Sequence, residues 1–309
     1  MTKKVLSIQS HVVHGYVGNK AATFPLQYRG WDVDALNTVQ YSNHPGYGHF
    51  DGFRSRAQDL REIIEKGLLE GLQQKYDALL TGYLPDPEAL REIGDVLATL
   101  CESDSEIKWI LDPVLGDNGR LYVSPDAVPA YKEILLRGTV YLATPNQFEM
   151  ETLTGVQITD LATLKLSITR FHELYPKVPN VLVTSVMSST LDQDTMICAC
   201  SELSKPDSAR YFSVPKIDVH FSGSGDLCSA LLLDIFLRQP SEALDLARAA
   251  NEVLSLVDNI LKRTLQLHLD TQQKALGQDR PRKINDLRLI ESRDLLDGSG
   301  ELKYTPMVL

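Results

Sequence analysis

Short apolar runs at residues 5–8, 31–36, 76–80, 108–111, 140–143 and 181–183 punctuate the first two thirds of the chain, and they break off into small, polar or acidic residues. Stretches of helical periodicity lie between them, clearest at 55–74 and 86–102. Buried strands alternating with helices leave few solutions other than a mainly parallel sheet with helices on both faces. From 195 to 214 the pattern turns β-rich, at 195–200 and 210–214, which predicts antiparallel strands at one sheet edge. A long helical stretch covers 241–267, and the charged, mixed sequence from 270 to 297 reads as solvated surface helix and loop. No repeat, low-complexity tract or interdomain linker interrupts the pattern. Residues 1–309 are therefore expected to form one α/β domain, a three-layer αβα sandwich, with 270–309 as a C-terminal surface segment.

Ligands of open α/β sheets bind beyond the carboxyl ends of the strands. Here those ends carry Ser10 and His11, Thr81-Gly82-Tyr83, Asp112-Pro113-Val114-Leu115-Gly116-Asp117, Thr144-Pro145-Asn146-Gln147-Phe148-Glu149, and Thr184-Ser185. Asn146 and Glu149 stand three apart at a helix start, a spacing that suits either a shared functional face or a plain capping box. Gly15-Tyr16-Val17-Gly18-Asn19-Lys20 opens another helix without completing a phosphate-loop or dinucleotide fingerprint. Asn19 there reads as a cap and Lys20 as a solvated lysine. The stretch 41–54, rich in glycine, aromatics and histidine with no helical period, is expected to be a lid that stacks on a flat ligand and excludes water.

The chemistry concentrates at Phe221-Ser222-Gly223-Ser224-Gly225-Asp226, which hands over to the apolar helix beginning Leu227-Cys228-Ser229-Ala230. Unpaired amides and the dipole at a helix start attract an anion, and a carboxylate beside them can take a proton. Anion cradle plus base suits phosphoryl transfer; the same letters also spell an ordinary capped turn. An aspartate at a helix N-terminus is expected to be ionised near neutral pH.

Composition excludes other classes. A net charge of −10 and a pI near 5.2 argue against nucleic-acid binding through a basic surface. No apolar run reaches transmembrane length, so no membrane partner is expected, and the first residues lead into a strand pattern and not a signal peptide. Cys101, Cys198, Cys200 and Cys228 include no C-x-x-C pair, and Cys198-Ala199-Cys200 is followed by no histidine at ligand spacing. Buried free thiols imply a reducing compartment, the cytoplasm, with the nucleus also open.

Taken in order, these strings resemble the ribokinase-like kinases. The run 5–19 with Tyr41-Ser42-Asn43-His44 is most similar to the pyridoxal kinase family, and the likeness extends to the closing Thr305-Pro306-Met307-Val308-Leu309. The resemblance implies ATP-dependent phosphorylation of the 5′-hydroxymethyl group of pyridoxal, pyridoxine and pyridoxamine, with a homodimer as the assembly. Asp226 would be the base and Gly223, Ser224 and Gly225 the anion hole. Ser10 would bond the pyridine ring in a pocket shaped by Val17, Tyr41, His44 and Tyr83. ATP would meet Asp112, Asn146, Glu149, Thr184, Ser185, Ile217, Asp218, Val219 and Ser224. Asp117, Thr144 and Glu149 would organise Mg²⁺ or another divalent cation, together with a monovalent cation such as K⁺. Pro45 departs from the threonine usual in animal members, and without a hydroxyl or N–H it predicts one substrate hydrogen bond fewer. Two rivals stand beside this reading: a kinase for hydroxymethylpyrimidine or a nucleoside on the same fold, and a non-catalytic binder of pyridoxal 5′-phosphate or nucleotide.

Overall fold

The computed structural model describes residues 2–187, 194–205, 209–240, 244–273, 283–297 and 302–309. Alternation within each strand sends neighbouring side chains to opposite faces, and the two faces collect separate cores. In β1 (Lys4–Val12), Val5 joins one core while Leu6 and Ile8 join the other. In β4 (Ala78–Thr81) and β5 (Lys108–Leu111) the pattern repeats, with Leu79 and Trp109 on the face of Leu6, and Leu80 and Ile110 on that of Val5. One face is covered by α2 (Ala57–Glu62), α3 (Pro87–Ser103), α4 (Ala127–Arg137), α5 (Gln147–Thr154) and α6 (Leu161–Leu174). The other is covered by α1 (Asn19–Tyr28), α7 (Ser224–Arg238) and α8 (Leu246–Gln273). The three-layer expectation holds.

Among the described residues, ten strands form the sheet. Parallel pairing runs through β2 (Asp32–Tyr41), β1, β4, β5, β8 (Val140–Ala143) and β9 (Asn180–Val186), so their carboxyl ends share one rim. Beyond β9 come β10 (Thr195–Glu202), β11 (Arg210–Pro215) and β14 (Met307–Val308), all antiparallel. The far edge is antiparallel too, because β3 (Gly52–Arg54) folds back on β2. The single antiparallel edge read from the sequence is thus one of two, and the second is built from the end of the stretch 41–54, where the sequence predicts a lid loop. Among the described residues, two short pairings lie outside the sheet, antiparallel β6 (Gly116–Asp117) with β7 (Arg120–Leu121), and parallel β12 (His220–Phe221) with β13 (Lys283–Ile284).

Other differences have local causes. β2 runs past Leu36 because the polar Asn37 and Thr38 have buried partners: Asn19 donates to Asn37 at 2.9 Å, and Thr38 donates to the Tyr83 carbonyl at 2.8 Å. Asn19 is not a cap. Gly18 holds that position, and the Asn19 side chain turns inward, accepting from Ser7 (2.8 Å) and donating to the Leu36 carbonyl (3.0 Å). A buried amide in contact with polar groups of Ser7, Gln9, Leu36 and Asn37 ties β1, β2 and α1 together at the rim. Lys20 is not simply solvated; it donates to the Val13 carbonyl at 2.8 Å and lies over the Tyr16 ring. The helix foreseen over 55–74 passes into a π-helix at Ile63–Gly71. Of the helix foreseen over 241–267, residues 241–243 fall outside the described residues, and α8 continues to Gln273.

The C-terminal segment is no solvated appendage. Residues 274–282 and 298–301 lie outside the described residues, but Ile284, Leu287, Leu289 and Leu296 are buried in the core under α1, α7 and α8. Their burial contributes roughly 1.5–3 kcal/mol each. Lys303 extends the docking, with ammonium bonds of 2.8 Å to Asp258 and 2.5 Å to Asn259 on α8.

Candidate active site

The rim where the parallel strands end gathers almost every residue singled out in the sequence. α7 starts at Ser224 with Gly223 before it at φ 85°, a left-handed conformation disfavoured for any side chain. A Cβ on Gly223 would also overlap the Tyr16 carbonyl oxygen, so the glycine lets the loop close against the 16–17 backbone. Ser224 donates its hydroxyl to the Phe221 carbonyl at 3.1 Å, closing the turn. Leu227 donates the first α7 amide bond, to the Gly223 carbonyl at 3.0 Å, which leaves the amides before it available to an anion.

Asp226 sits in that first turn, half-buried. Burial pushes its carboxyl up to about 6, against a backbone hydrogen bond from Gly18 that works the other way. The helix-start argument alone pointed downward; desolvation is the larger effect. Near neutral pH the group is still mostly ionised, as expected, and it is a better proton acceptor than an exposed aspartate.

Asp112, buried at the end of β5, faces Asp226. Burial and then the Asp226 charge raise its carboxyl well above the ordinary range, opposed by Ser229, whose hydroxyl donates to it at 3.0 Å. Thr144 is 3.3 Å from the same Ser229 hydroxyl. Glu149 lies buried behind them, raised by desolvation and by Asp112. Its oxygens accept from the amides of Asn146 (2.8 Å), Leu115 (2.9 Å) and Gly116 (3.4 Å). The capping-box reading of Asn146 and Glu149 is therefore correct, and the box also clamps the 115–116 turn to α5. Asn146 donates to the Gly116 carbonyl at 2.8 Å and bridges to Thr184. Asp117 instead accepts from its neighbour Asn118, through the backbone (2.7 Å) and the side chain (2.9 Å).

Carboxylates whose folded pKa lies above the unfolded value stabilise fully below the unfolded value and lose that contribution as pH rises through the folded one. Asp112 and Asp226 therefore weaken the fold at pH 7 while equipping the site. Asp112→Asn removes the repulsion and is expected to raise Tm by a few degrees as turnover falls. A melting scan showing a lower Tm would remove this account.

Ser185, exposed at the end of β9, has φ 58°, an uncommon conformation for a residue with a side chain. Ile217 and Val219 lie against the α7–α8 core, while Asp218 between them projects into solvent. Val17 and Tyr41 form a small apolar cluster with Val12 and Val39, and Tyr83 packs against it. Ser10 is buried next to Gly18. His44 and Pro45 begin a short turn at the lip, Pro45–Tyr47, in which Gly46 donates to His44 Nδ1 at 3.1 Å. Burial, with Lys283 and His220 nearby, lowers His44 to about 4, so its ring is neutral at pH 7 and carries its proton on Nε2.

An apolar aromatic cluster, a half-buried aspartate, a helix start and buried carboxylates thus lie along one rim of the sheet. The arrangement suits transfer of a phosphoryl group to an alcohol held beside that cluster. Sequence reasoning missed Ser229, which faces Asp112 from one turn along α7, and the segment 283–286, which reaches the lip through β13. Among the described residues, no three His, Cys, Asp or Glu side chains converge as a ready-made metal cage.

Residues 62–267 match the phosphomethylpyrimidine kinase family. The chain is 51% identical over 297 residues to Saccharomyces cerevisiae BUD17, covering 96% of this chain and 93% of that protein. It is 35% identical to the pyridoxal kinase of Homo sapiens, covering 95% of each. The structure of Leishmania donovani pyridoxal kinase in complex with ADP and pyridoxine superposes with a TM-score of 0.81 at 32% identity, over 98% of this chain and 99% of that one.

Proposed function

Since the chain belongs to the pyridoxal kinase family of ribokinase-like enzymes and phosphorylates B6 vitamers with ATP, we propose that Asp226 accepts the proton of the vitamer's 5′-hydroxyl. The observation that carries this assignment is the carboxylate with a raised pKa, half-exposed at the start of α7 between an apolar recess and unpaired amides. The alcohol meets Asp226 as the terminal phosphoryl group settles on the amides of Gly223, Ser224 and Gly225, whose positions are fixed before substrate arrives. Ser10 bonds the pyridine ring, Val17, Tyr41 and Tyr83 pack on it, and His44 and Pro45 cover it. Pro45 offers no donor, so ring affinity rests on the remaining contacts.

The nucleotide extends along Asp112, Asn146, Glu149, Thr184 and Ser185 towards the Ile217–Val219 loop. Carboxylates that take up protons so readily fit a polyphosphate only with cations between them. Asp112, Asp117, Thr144 and Glu149 are the groups that would hold Mg²⁺ with a monovalent cation such as K⁺; when bound, these ions neutralise phosphate charge. The four free cysteines support a reducing, cytoplasmic setting. Exposed Val13, Phe50 and Phe53 support a homodimer, which light scattering decides.

A coupled assay is expected to release ADP only with a B6 vitamer present, and kcat/KM is expected to rise with pH through about 6 as Asp226 ionises. A profile flat between about pH 5 and 7 would contradict the base assignment. The phosphomethylpyrimidine kinase match keeps hydroxymethylpyrimidine as the second acceptor to test. Faster turnover on it than on pyridoxal would reverse the substrate assignment.

A further inference from the structure

The lip of the recess is joined to the anion loop by a segment with no place in the chemistry above. β13 pairs in parallel with β12, His220 opposite Lys283 and Phe221 opposite Ile284, and Ser222 donates to the Ile284 carbonyl at 3.1 Å. The four residues Lys283 to Asp286 thus begin on the strand that leads into Gly223. They end at the lid turn. Tyr47 donates its hydroxyl to Asp286 Oδ2, and Lys283 donates to the Gly46 carbonyl at 3.1 Å. His14 Nε2 stands 3.6 Å from the same Asp286 oxygen. The other Asp286 oxygen is buried with no partner and lies on Gly15, where a Cβ would collide with it. A carboxylate partly withdrawn from water and bonded to a phenol is costly unless its position is used.

We propose that Asp286 is a positioning residue for the vitamer: through Tyr47 it latches the Pro45–Tyr47 turn, and with it His44, at a fixed height above the recess. Because the same segment is paired to β12, the cover over the ring and the loop that receives the phosphoryl group are spaced by one short piece of backbone. Asp286 touches no reacting atom. The latch therefore acts on how well the vitamer is held and not on the transfer step, and Tyr47 is its hinge pin to the lid. Burial and the Asp286 carboxylate push the Tyr47 phenol up to about 12, so the donor persists across the working pH range.

This inference rests on the vitamer site assigned above, and the experiment separates the two. Steady-state kinetics are measured for Tyr47→Phe, Asp286→Ala, their double variant and Ser10→Ala, with pyridoxal and ATP varied separately. Each latch variant is expected to raise the pyridoxal KM about tenfold, with kcat and the ATP KM within about twofold of the parent. The double variant is expected to be no worse than Asp286→Ala alone, since both break one contact. A parental pyridoxal KM in Tyr47→Phe and Asp286→Ala, or multiplicative losses in the double variant, overturns the latch whatever Ser10→Ala does. A parental KM in Ser10→Ala counts against the ring site alone. Should Asp286→Ala fail to fold, Tyr47→Phe, which deletes one hydroxyl, decides the matter.

Discussion

Asp226→Asn protein is expected to fold, to bind ATP at least as tightly as the parent, and to phosphorylate pyridoxal about 10³-fold more slowly or worse. The substitution keeps the shape of the side chain and leaves the first-turn amides of α7 in place. It removes only the capacity to accept a proton. Two effects of the lost charge favour binding and stability: the repulsion with Asp112 disappears, and one fewer buried charge stands beside the incoming phosphates. Turnover is expected to fall while Tm rises, a pairing that a merely structural aspartate would not give. Calorimetry with an ATP analogue, a melting curve and the coupled assay read the three quantities. A kcat within a few-fold of the parent would overturn the base assignment.

Much of this was legible in the sequence because strands that end at one rim also end in small, polar and acidic residues. The βα alternation predicted the sandwich, and the run from Gly223 to Asp226 marked the start of α7 at the rim, although on its own it fits an ordinary capped turn as well as an anion loop with a base. What stayed hidden was hidden for physical reasons. Asn19 looks like a cap in one dimension, and only the β1–β2 pairing reveals the polar groups that wait for its amide. The sign of the Asp226 shift depends on how much water reaches it, which no local string encodes. The segment 283–286 carries a charged, mixed composition that reads as surface. Its apolar neighbours Ile284 and Leu287 are too sparse to show a period, yet they anchor it beneath the site. Asp286 and Tyr47 are separated by 239 positions, a contact created by topology alone.

The second large effect lies at the opposite end of the helices that build the mouth. α1 and α7 pack side by side, with Gly18 and Asp226 at their N-terminal ends and Arg29 and Asp234 near their C-terminal ends. Asp234 is 1% exposed and Arg29 3%, and their side chains are paired there. The Trp31 indole donates to Asp234 at 2.9 Å, Arg238 at 2.6 Å, and Arg29 also reaches the Leu296 carbonyl, drawing in the C-terminal segment. Removing one member of a buried ion pair strands the other, which costs more than the intact pair ever contributes. Asp234→Ala is therefore expected to lose ~3–5 kcal/mol, and Tm on the order of 10 °C. Asp234→Asn, which keeps an acceptor for Trp31 but not the charge, is expected to fall between the two. A loss below ~1 kcal/mol in Asp234→Ala would mean that water or another acceptor reaches Arg29. The consequence for function follows from geometry: if this pair fixes how far α1 can slide along α7, it also fixes the Gly18 amide against the Asp226 carboxylate. In the fraction of Asp234→Ala that remains folded, kcat is then expected to drop while the ATP KM holds. Unchanged kcat in that fraction would confine the pair to stability.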